Sequence, residues 1–138
     1  MIASLEYAVT VLGVRLLVVL GHQNCGAIKQ VSKDYEALLH ELTADAEDSL
    51  MRRQHFRHRR THLRFGSIMM RTVGFSIWQA HESELESAED FERVHIARTI
   101  EQLVERSEVI QRALAEDRLM ITGARYQLDT GKVEVLSF

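Results

Sequence analysis

The chain has 138 residues, of which 46% are hydrophobic and 27% are charged, and its formal net charge is −3. This length fits one domain with an ordinary core, and the charge gives no general attraction to nucleic acid or to a membrane. No apolar run approaches the roughly 18 residues of a membrane span, and the first residues, MIASLEYAV, lack the features of a signal peptide. The single cysteine excludes an internal disulfide and indicates a reducing compartment, so we expect a cytoplasmic protein.

The amino-terminal part of the sequence predicts a helix, a turn and a buried strand. Residues 4–12 carry apolar side chains at helical spacing, with Ser4 as the N-cap and Gly13 as the C-terminal stop. The apolar run at residues 16–20, LLVVL, does not alternate with polar residues, which is typical of a strand buried on both faces. A parallel sheet needs a strand before its crossover helix, and the sequence offers none here.

The middle of the chain is predicted to be mainly helical as far as residue 42. One helix begins at Gly26, and a further helical stretch covers residues 35–42, followed by an acidic loop at 43–48. Residues 52–64 contain six arginines and three histidines with no acid among them. Residues 65–78 are mostly apolar, and their pattern leaves helix and strand equally open.

The carboxyl-terminal part predicts a long helix, a strand and a hairpin. Ser87 and the acids after it mark a helix start, and an apolar stripe follows over residues 96–114 with a break near Ser107. Residues 119–124 predict a short buried strand, and the alternation over 125–136 around Asp-Thr-Gly predicts a hairpin. The fold class is therefore α/β, with a mostly parallel sheet flanked by helices and a carboxyl-terminal hairpin.

His22 and Cys25 follow the predicted strand at residues 16–20, at the position where open α/β sheets bind ligands. Imidazole nitrogen and thiolate sulfur are zinc ligands, but zinc normally takes three or four protein ligands, and the His-x-x-Cys spacing alone is a weak signal. Two other interpretations stay open: a small buried thiol beside a loop histidine, and a nucleophilic cysteine with a histidine base, for which no third group can be assigned.

Two blocks of the sequence resemble the β-class carbonic anhydrases. The block SLEYAVTVLGVRLLVVLGHQNCGAIK is similar to the middle of that family, with its EYAV helix, buried strand and GHxxCG motif. The block RTIEQLVERSEVIQRALAEDRLMITGARYQLDTGKVEVL is similar to its last long helix, final strand and closing hairpin. Residues 45–85 do not visibly match and look like a divergent or inserted segment.

The resemblance implies a function and a set of site residues. His22 and Cys25 match two of the family's three zinc ligands, Tyr7 matches a tyrosine that lines the pocket in some members, and Gly26 matches the glycine after the second ligand. The implied activity is the zinc-dependent reversible hydration of carbon dioxide to bicarbonate (carbonate dehydratase, a lyase), with one Zn²⁺ per chain. It also implies a homodimer or higher homo-oligomer, because the family's zinc site lies at a dimer interface.

The sequence departs from the family pattern at the first zinc ligand. That ligand is a cysteine in a Cys-x-Asp-x-Arg motif on an earlier strand, and this chain has no such motif. We therefore expect an N-terminally incomplete or divergent member: a single domain over 1–138 that lacks the family's first strand and has impaired activity alone. His55, His58 or His62 could complete the ligand set, although distant groups must then meet a fixed geometry.

The alternative function is a non-catalytic interaction module that retains the fold and uses the basic segment 52–64 for a partner. Such a segment could bind phosphates, but the net charge is negative and only Phe56 interleaves as an aromatic side chain. We expect this segment to pair with the acidic residues 81–92 or to stay solvated, so nucleic acid is not an expected partner. A thiol-dependent enzyme would instead show rapid alkylation of Cys25 in metal-free protein.

Overall fold

The computed structural model describes residues 1–43 and 67–137. The predictions for the acidic loop at 43–48 and for the basic segment 52–64, with its three histidines, lie outside these residues except for Thr43, which ends a helix. Within the described ranges, no helix is both long enough and apolar enough to cross a membrane. The elements are α1 (Ile2–Thr10), β1 (Leu16–His22), α2 (Gly26–Thr43), a π-helical segment (Met70–Gly74), α3 (Phe75–Glu82), α4 (Ala88–Arg106), α5 (Glu108–Ala115), β2 (Met120–Tyr126) and β3 (Val133–Leu136).

The sheet has the strand order β1-β2-β3. Strands β1 and β2 are parallel, with Leu16 opposite Met120 and His22 opposite Tyr126. Strand β3 runs antiparallel to β2 and closes the carboxyl-terminal hairpin, with Gly131 at φ +69° in the turn. The predicted α/β class and hairpin are confirmed, and the strand and first hairpin arm that the sequence suggested separately form one continuous strand.

The prediction that β1 is buried on both faces is wrong. Its side chains alternate between more and less covered positions, and Leu16, Val18 and Leu20 are 46%, 50% and 59% exposed. An apolar run shows that the side chains on both faces of a strand are apolar. Their burial also requires another structural element to pack on each face of the sheet, and the described helices cover only one face. The open sheet face, as we call it, consists of Leu16, Val18, Leu20, Met120, Val133 and Val135.

Two clusters of buried side chains form the core, and one of them includes side chains of the covered face of the sheet. One lies between α2, α3 and α4 and includes Val31, Tyr35 and Ile77. The other joins α1 and α5 to the sheet and includes Val9 and Ile110, with Leu17, Ile121 and others packed against it. The contacts of α4 with Gly21 and Arg125, and the packing of Leu17 and Ile121 in the second cluster, lie on the face opposite the open sheet face.

The helix boundaries partly match the sequence prediction. Helix α1 starts earlier than expected, at Ile2, with Met1 rather than Ser4 as its N-cap. The two helical stretches predicted after Gly26 are one continuous helix, and the undecided apolar segment is helical from Ile68 onward. Sequence spacing located the apolar face correctly but not the ends, because neither end of α1 has a side-chain cap to mark it.

The predicted helix start at Ser87 and the predicted break near Ser107 are both confirmed. Ser87 forms a capping box with Asp90, in which each side chain accepts a hydrogen bond from the other residue's main chain. Ser107 is buried and separates α4 from α5: its hydroxyl accepts from the Ile110 main-chain N–H and donates to Glu6 at 2.6 Å. The break in the long helix therefore also fixes α1 against the α4–α5 junction.

Helix α4 approaches β1 most closely at Gly21. A Cβ atom built on Gly21 would lie 2.6 Å from Ile96 Cδ1 and 2.9 Å from its Cγ1, and Ile96 is itself buried. A side chain at position 21 would fit only if the buried side chain of Ile96 or the main chain around it moved.

We expect Gly21→Ala to lower the free energy of unfolding by about 1–3 kcal/mol, the usual cost of overpacking a filled core. Gly26→Ala is the matched control, because a Cβ there meets no atom within 4 Å. Guanidinium denaturation of both variants measures the difference. Equal stability of Gly21→Ala and the wild type would show that the close packing of α4 on β1 is wrong.

Candidate metal centre

The two candidate ligands lie at the carboxyl end of β1, where the sequence placed them. His22 is the last residue of the strand, and residues 23–25 lead from it into α2, which begins at Gly26. His22 is exposed, whereas Cys25 is partly buried against the cluster between α2, α3 and α4. The described structure thus brings both donors to one end of the sheet, separated by a single turn of chain.

The hydrogen bond of His22 selects the ring nitrogen that is available to a metal. Nδ1 lies 3.0 Å from the main-chain oxygen of Gln23. A carbonyl oxygen can only accept, so Nδ1 must donate and carry the proton. In the neutral ring Nε2 then has a free lone pair, which is the arrangement found in metal-binding histidines whose second nitrogen is held by a carbonyl.

The segment 23–25 is held at each of its residues. Gln23 donates from its main chain to Tyr126 at 2.8 Å, and its side-chain oxygen accepts from Leu128 at 3.0 Å. Asn24 adopts φ +58° and accepts a hydrogen bond from Lys29. Gln23, at the start of the turn, is therefore bonded to β2, and Asn24, in its middle, is bonded to α2.

The main-chain N–H of Cys25 is held by a side chain from a third element. It donates to Glu92 Oε1 at 3.3 Å, a contact between residues 67 positions apart in sequence. The second oxygen of Glu92 accepts from Arg125 Nε at 2.7 Å, and the two side chains are only 4% and 6% exposed. Glu92 of α4 and Arg125 of β2 therefore form a buried ion pair directly beneath the candidate site.

Further charges surround this ion pair at the edge of the sheet. Arg125 Nη1 lies 3.6 Å from Glu89 and 3.8 Å from Glu134, and Arg93 bridges the same two carboxylates at 2.6 and 2.7 Å. The pKa of the Glu89 carboxyl is held below its usual range, first by the hydrogen bond from Arg93 and then by the charge of Arg125. The positive charge of Arg125 thus has carboxylates on several sides.

Neither Glu92 nor Arg125 was predicted from the sequence as part of the site. Glu92 was placed only in the acidic stretch 81–92, as a possible partner of the basic segment 52–64, yet Glu92 is 3% exposed. Helical spacing carried a usable signal, because Glu92 lies one turn before Ile96 on the same buried face of α4. Arg125 likewise stands opposite Gly21 in the strand register and points to the covered face.

Two donors do not make a complete zinc site. Within residues 1–43 and 67–137 no group of three or more histidine, cysteine, aspartate or glutamate side chains is placed to hold a metal ion. His22 and Cys25 are chemically suited to zinc, which normally takes three or four protein ligands. The donor types therefore fit zinc, and the number of donors in the described part is too small.

The other two predicted site residues, Gly26 and Tyr7, differ in whether the structure brings them to His22 and Cys25. Gly26 directly follows Cys25, is exposed and has open space where a side chain would stand. Tyr7 lies on α1 and is 55% exposed, and α1 packs against α5. The described contacts do not bring Tyr7 to His22 or Cys25, so its role as a pocket residue remains a prediction.

The fold and the site define a class: an α/β protein with a histidine and a cysteine at the carboxyl end of a parallel strand. The sequence profile of the carbonic anhydrases matches residues 1–133. The chain belongs to the carbonic anhydrase family, and its resemblance to the β-class is confirmed.

Individual relatives agree with this assignment. The chain is 35% identical to a carbonic anhydrase of Mycolicibacterium smegmatis over 136 residues, covering 99% of this chain and 56% of that protein. It is 31% identical to carbonic anhydrase 2 of Mycobacterium tuberculosis over 131 residues, covering 95% and 53%. A tetrameric β-carbonic anhydrase of the ascomycete Sordaria macrospora has the same fold, with a TM-score of 0.60, 18% identity and coverage of 99% and 59%. The chain thus spans about half the length of the curated relatives it matches.

Removing the arginine of the buried pair should be far more costly than removing its exposed neighbour. Arg125→Leu leaves the carboxylate of Glu92 buried without its partner, and we expect a loss of about 3–5 kcal/mol of unfolding free energy. Arg93→Leu is the control, because Arg93 contacts the same outer carboxylates but is 35% exposed, and exposed pairs contribute about 0–1 kcal/mol. Guanidinium denaturation separates the two cases; similar losses would contradict a buried Glu92–Arg125 pair.

Proposed function

We propose that this chain takes part in the zinc-dependent, reversible hydration of carbon dioxide to bicarbonate, CO₂ + H₂O ⇌ HCO₃⁻ + H⁺, in the cytoplasm. The observation that carries the proposal is the family match over residues 1–133 together with the position of His22 and Cys25 at one end of β1. The hydration of carbon dioxide requires a nucleophile that neutral water does not provide, and zinc, when bound, supplies hydroxide at neutral pH.

The chain's own residues would contribute two of the zinc ligands. Nε2 of His22 and Sγ of Cys25 are the proposed donors, and the Nδ1–H bond to Gln23 would orient the imidazole ring. A third protein ligand would come from residues outside the described part, where His55, His58 and His62 lie, or from a second polypeptide. Activity of this chain alone would then depend on whether that ligand is present.

The open sheet face supports the proposal that the chain acts as a homo-oligomer. Leu16, Val18 and Leu20 present a continuous apolar row on β1, and Val133 and Val135 extend it on β3. Contiguous exposed apolar surface of this kind marks interaction sites in soluble proteins. The relative from Sordaria macrospora is described as tetrameric, and a homodimer or larger assembly of this chain would cover the same type of surface.

The second candidate function is a non-catalytic interaction module. It is favoured by the open sheet face and by the fact that the described residues offer two metal donors rather than three. The two candidates differ in a property that can be measured directly, because only the enzyme requires stoichiometric zinc.

Zinc content tests the enzyme candidate. We expect about one zinc per chain in the purified wild type, as structural and catalytic zinc sites bind one ion in a defined ligand set, and loss of that zinc in Cys25→Ser and His22→Ala. His40→Ala is the control, because His40 is an exposed histidine further along the same helix α2. Elemental analysis gives the stoichiometry, and stopped-flow carbon dioxide hydration gives the activity of each variant.

The outcomes distinguish the candidates. Zinc that is lost in both ligand variants, together with hydration activity, supports the proposal. Zinc that persists in Cys25→Ser contradicts the assigned ligands. No zinc in the wild type contradicts the enzyme candidate and favours the interaction module. Combined substitution of His55, His58 and His62 then shows whether the third ligand comes from this chain.

The homo-oligomer proposal has its own test. We expect Val18→Lys to shift the chain toward monomer, because it places a charge in the centre of the open sheet face, where burial without a partner is costly. Val11→Lys is the control: Val11 is 60% exposed but is the C-cap of α1 and not part of a strand. Light scattering after size exclusion measures the mass. A wild type that is monomeric at all concentrations would contradict the proposal.

A further inference from the structure

We propose that Glu92 is a positioning residue, which holds the main chain of Cys25 in place from helix α4 while Arg125 fixes its carboxylate. The anchoring of Cys25 follows from the contacts of the chain itself. Its consequence for zinc affinity rests on the proposed function. This assignment concerns two side chains that lie outside the ligand motif and that act through Cys25 rather than on a metal or substrate.

The Cys25 amide needs an acceptor that its own helix cannot supply. The first N–H groups of a helix have no intrahelical partner, and Cys25 stands immediately before the first residue of α2. An unpaired N–H in a partly buried position costs free energy, so a partner from elsewhere stabilises this turn. Glu92 Oε1 is that partner, at 3.3 Å.

The carboxylate of Glu92 is itself fixed in direction. Its second oxygen accepts from Arg125 Nε at 2.7 Å, and Arg125 is held in turn by Glu89 and Glu134. Both oxygens of Glu92 accept hydrogen bonds, so the carboxylate is directed at the Cys25 amide and at Arg125. Arg125 also offsets a negative charge that would otherwise repel a thiolate, the form in which cysteine binds metals.

Helix α4 therefore positions both ends of the candidate site. Ile96 fits against Gly21 of β1, immediately before His22, and Glu92, one turn earlier on α4, reaches Cys25. The same helix thus contacts the strand just before His22 and the main chain of Cys25, in addition to the contacts that hold Gln23 and Asn24 between them.

The test uses two double variants that differ only in the acceptor. Glu92→Gln with Arg125→Met keeps a side-chain oxygen for the Cys25 amide, whereas Glu92→Met with Arg125→Met has none. Both remove both charges, so neither leaves an unpaired buried ion, and replacing a buried pair by apolar groups is often neutral for stability. Chemical denaturation of the two establishes that their stabilities match.

Two readouts follow, one of which needs no metal. In metal-free protein, we expect the Cys25 amide to exchange its hydrogen at least ~10-fold faster in the Met/Met variant than in the Gln/Met variant, since one hydrogen bond is worth about a factor of ten. For Zn²⁺, titrated against a chromophoric chelator, we expect affinity in the Met/Met variant to be lower by about 10–100-fold, the usual effect of losing a group that orients a ligand.

Equal Cys25 exchange rates in the two variants would overturn the positioning role. Faster exchange with unchanged Zn²⁺ affinity would overturn its link to the metal. If the wild type binds no zinc, the proposed function fails, while the exchange measurement still decides the anchoring of Cys25. If neither double variant folds, Glu92→Gln and Glu92→Met alone, with Arg125 retained beside Glu89 and Glu134, give the same comparison.

Discussion

The buried ion pair between Glu92 and Arg125 is the interaction on which the rest of the site depends. Removing two charges from water is expensive, and the cost is offset only when the geometry is good and further hydrogen bonds satisfy both groups. Here the carboxylate accepts from a guanidinium on one oxygen and from a main-chain N–H on the other. The pair joins α4, β2 and the turn before α2, so it fixes an arrangement of three elements more than it adds net stability.

The relative position of these elements depends on the contacts that hold helix α4 in place. Its start is set by the capping box at Ser87 and its end by Ser107, whose hydroxyl also binds Glu6 of α1. Between these points, Ile96 packs into the space that Gly21 leaves open. A rotation or translation of α4 would break the packing at Gly21 and the contact at Cys25 together. The cap residues, far from the site in sequence, therefore contribute to its geometry.

The features that could be predicted from the sequence are those determined by residues close together in the chain. The serine caps, the hairpin turn and the placement of His22 and Cys25 after a strand each depend on neighbouring residues, and the fold class followed from their order. Two features depend on distant parts of the chain. Glu92 looks like a solvated acid until Arg125 is brought beside it, and the exposure of β1 depends on which elements cover it. Neither the pairing of Glu92 with Arg125 nor the exposure of β1 can be predicted from a local pattern of residue types.

The open sheet face and the two metal donors of the described residues are connected through strand β1. Side chains alternate along a strand, so His22 continues the row formed by Leu16, Val18 and Leu20, while Cys25 lies beyond the strand against the cluster between α2, α3 and α4. A polypeptide packed on the open sheet face would thus cover apolar surface and bring its own side chains toward His22. Under the proposed function, burial of this face and completion of the zinc ligands would be one event. Cys25, which Glu92 holds in place, would then be the ligand that is already positioned in the single chain before a second polypeptide binds.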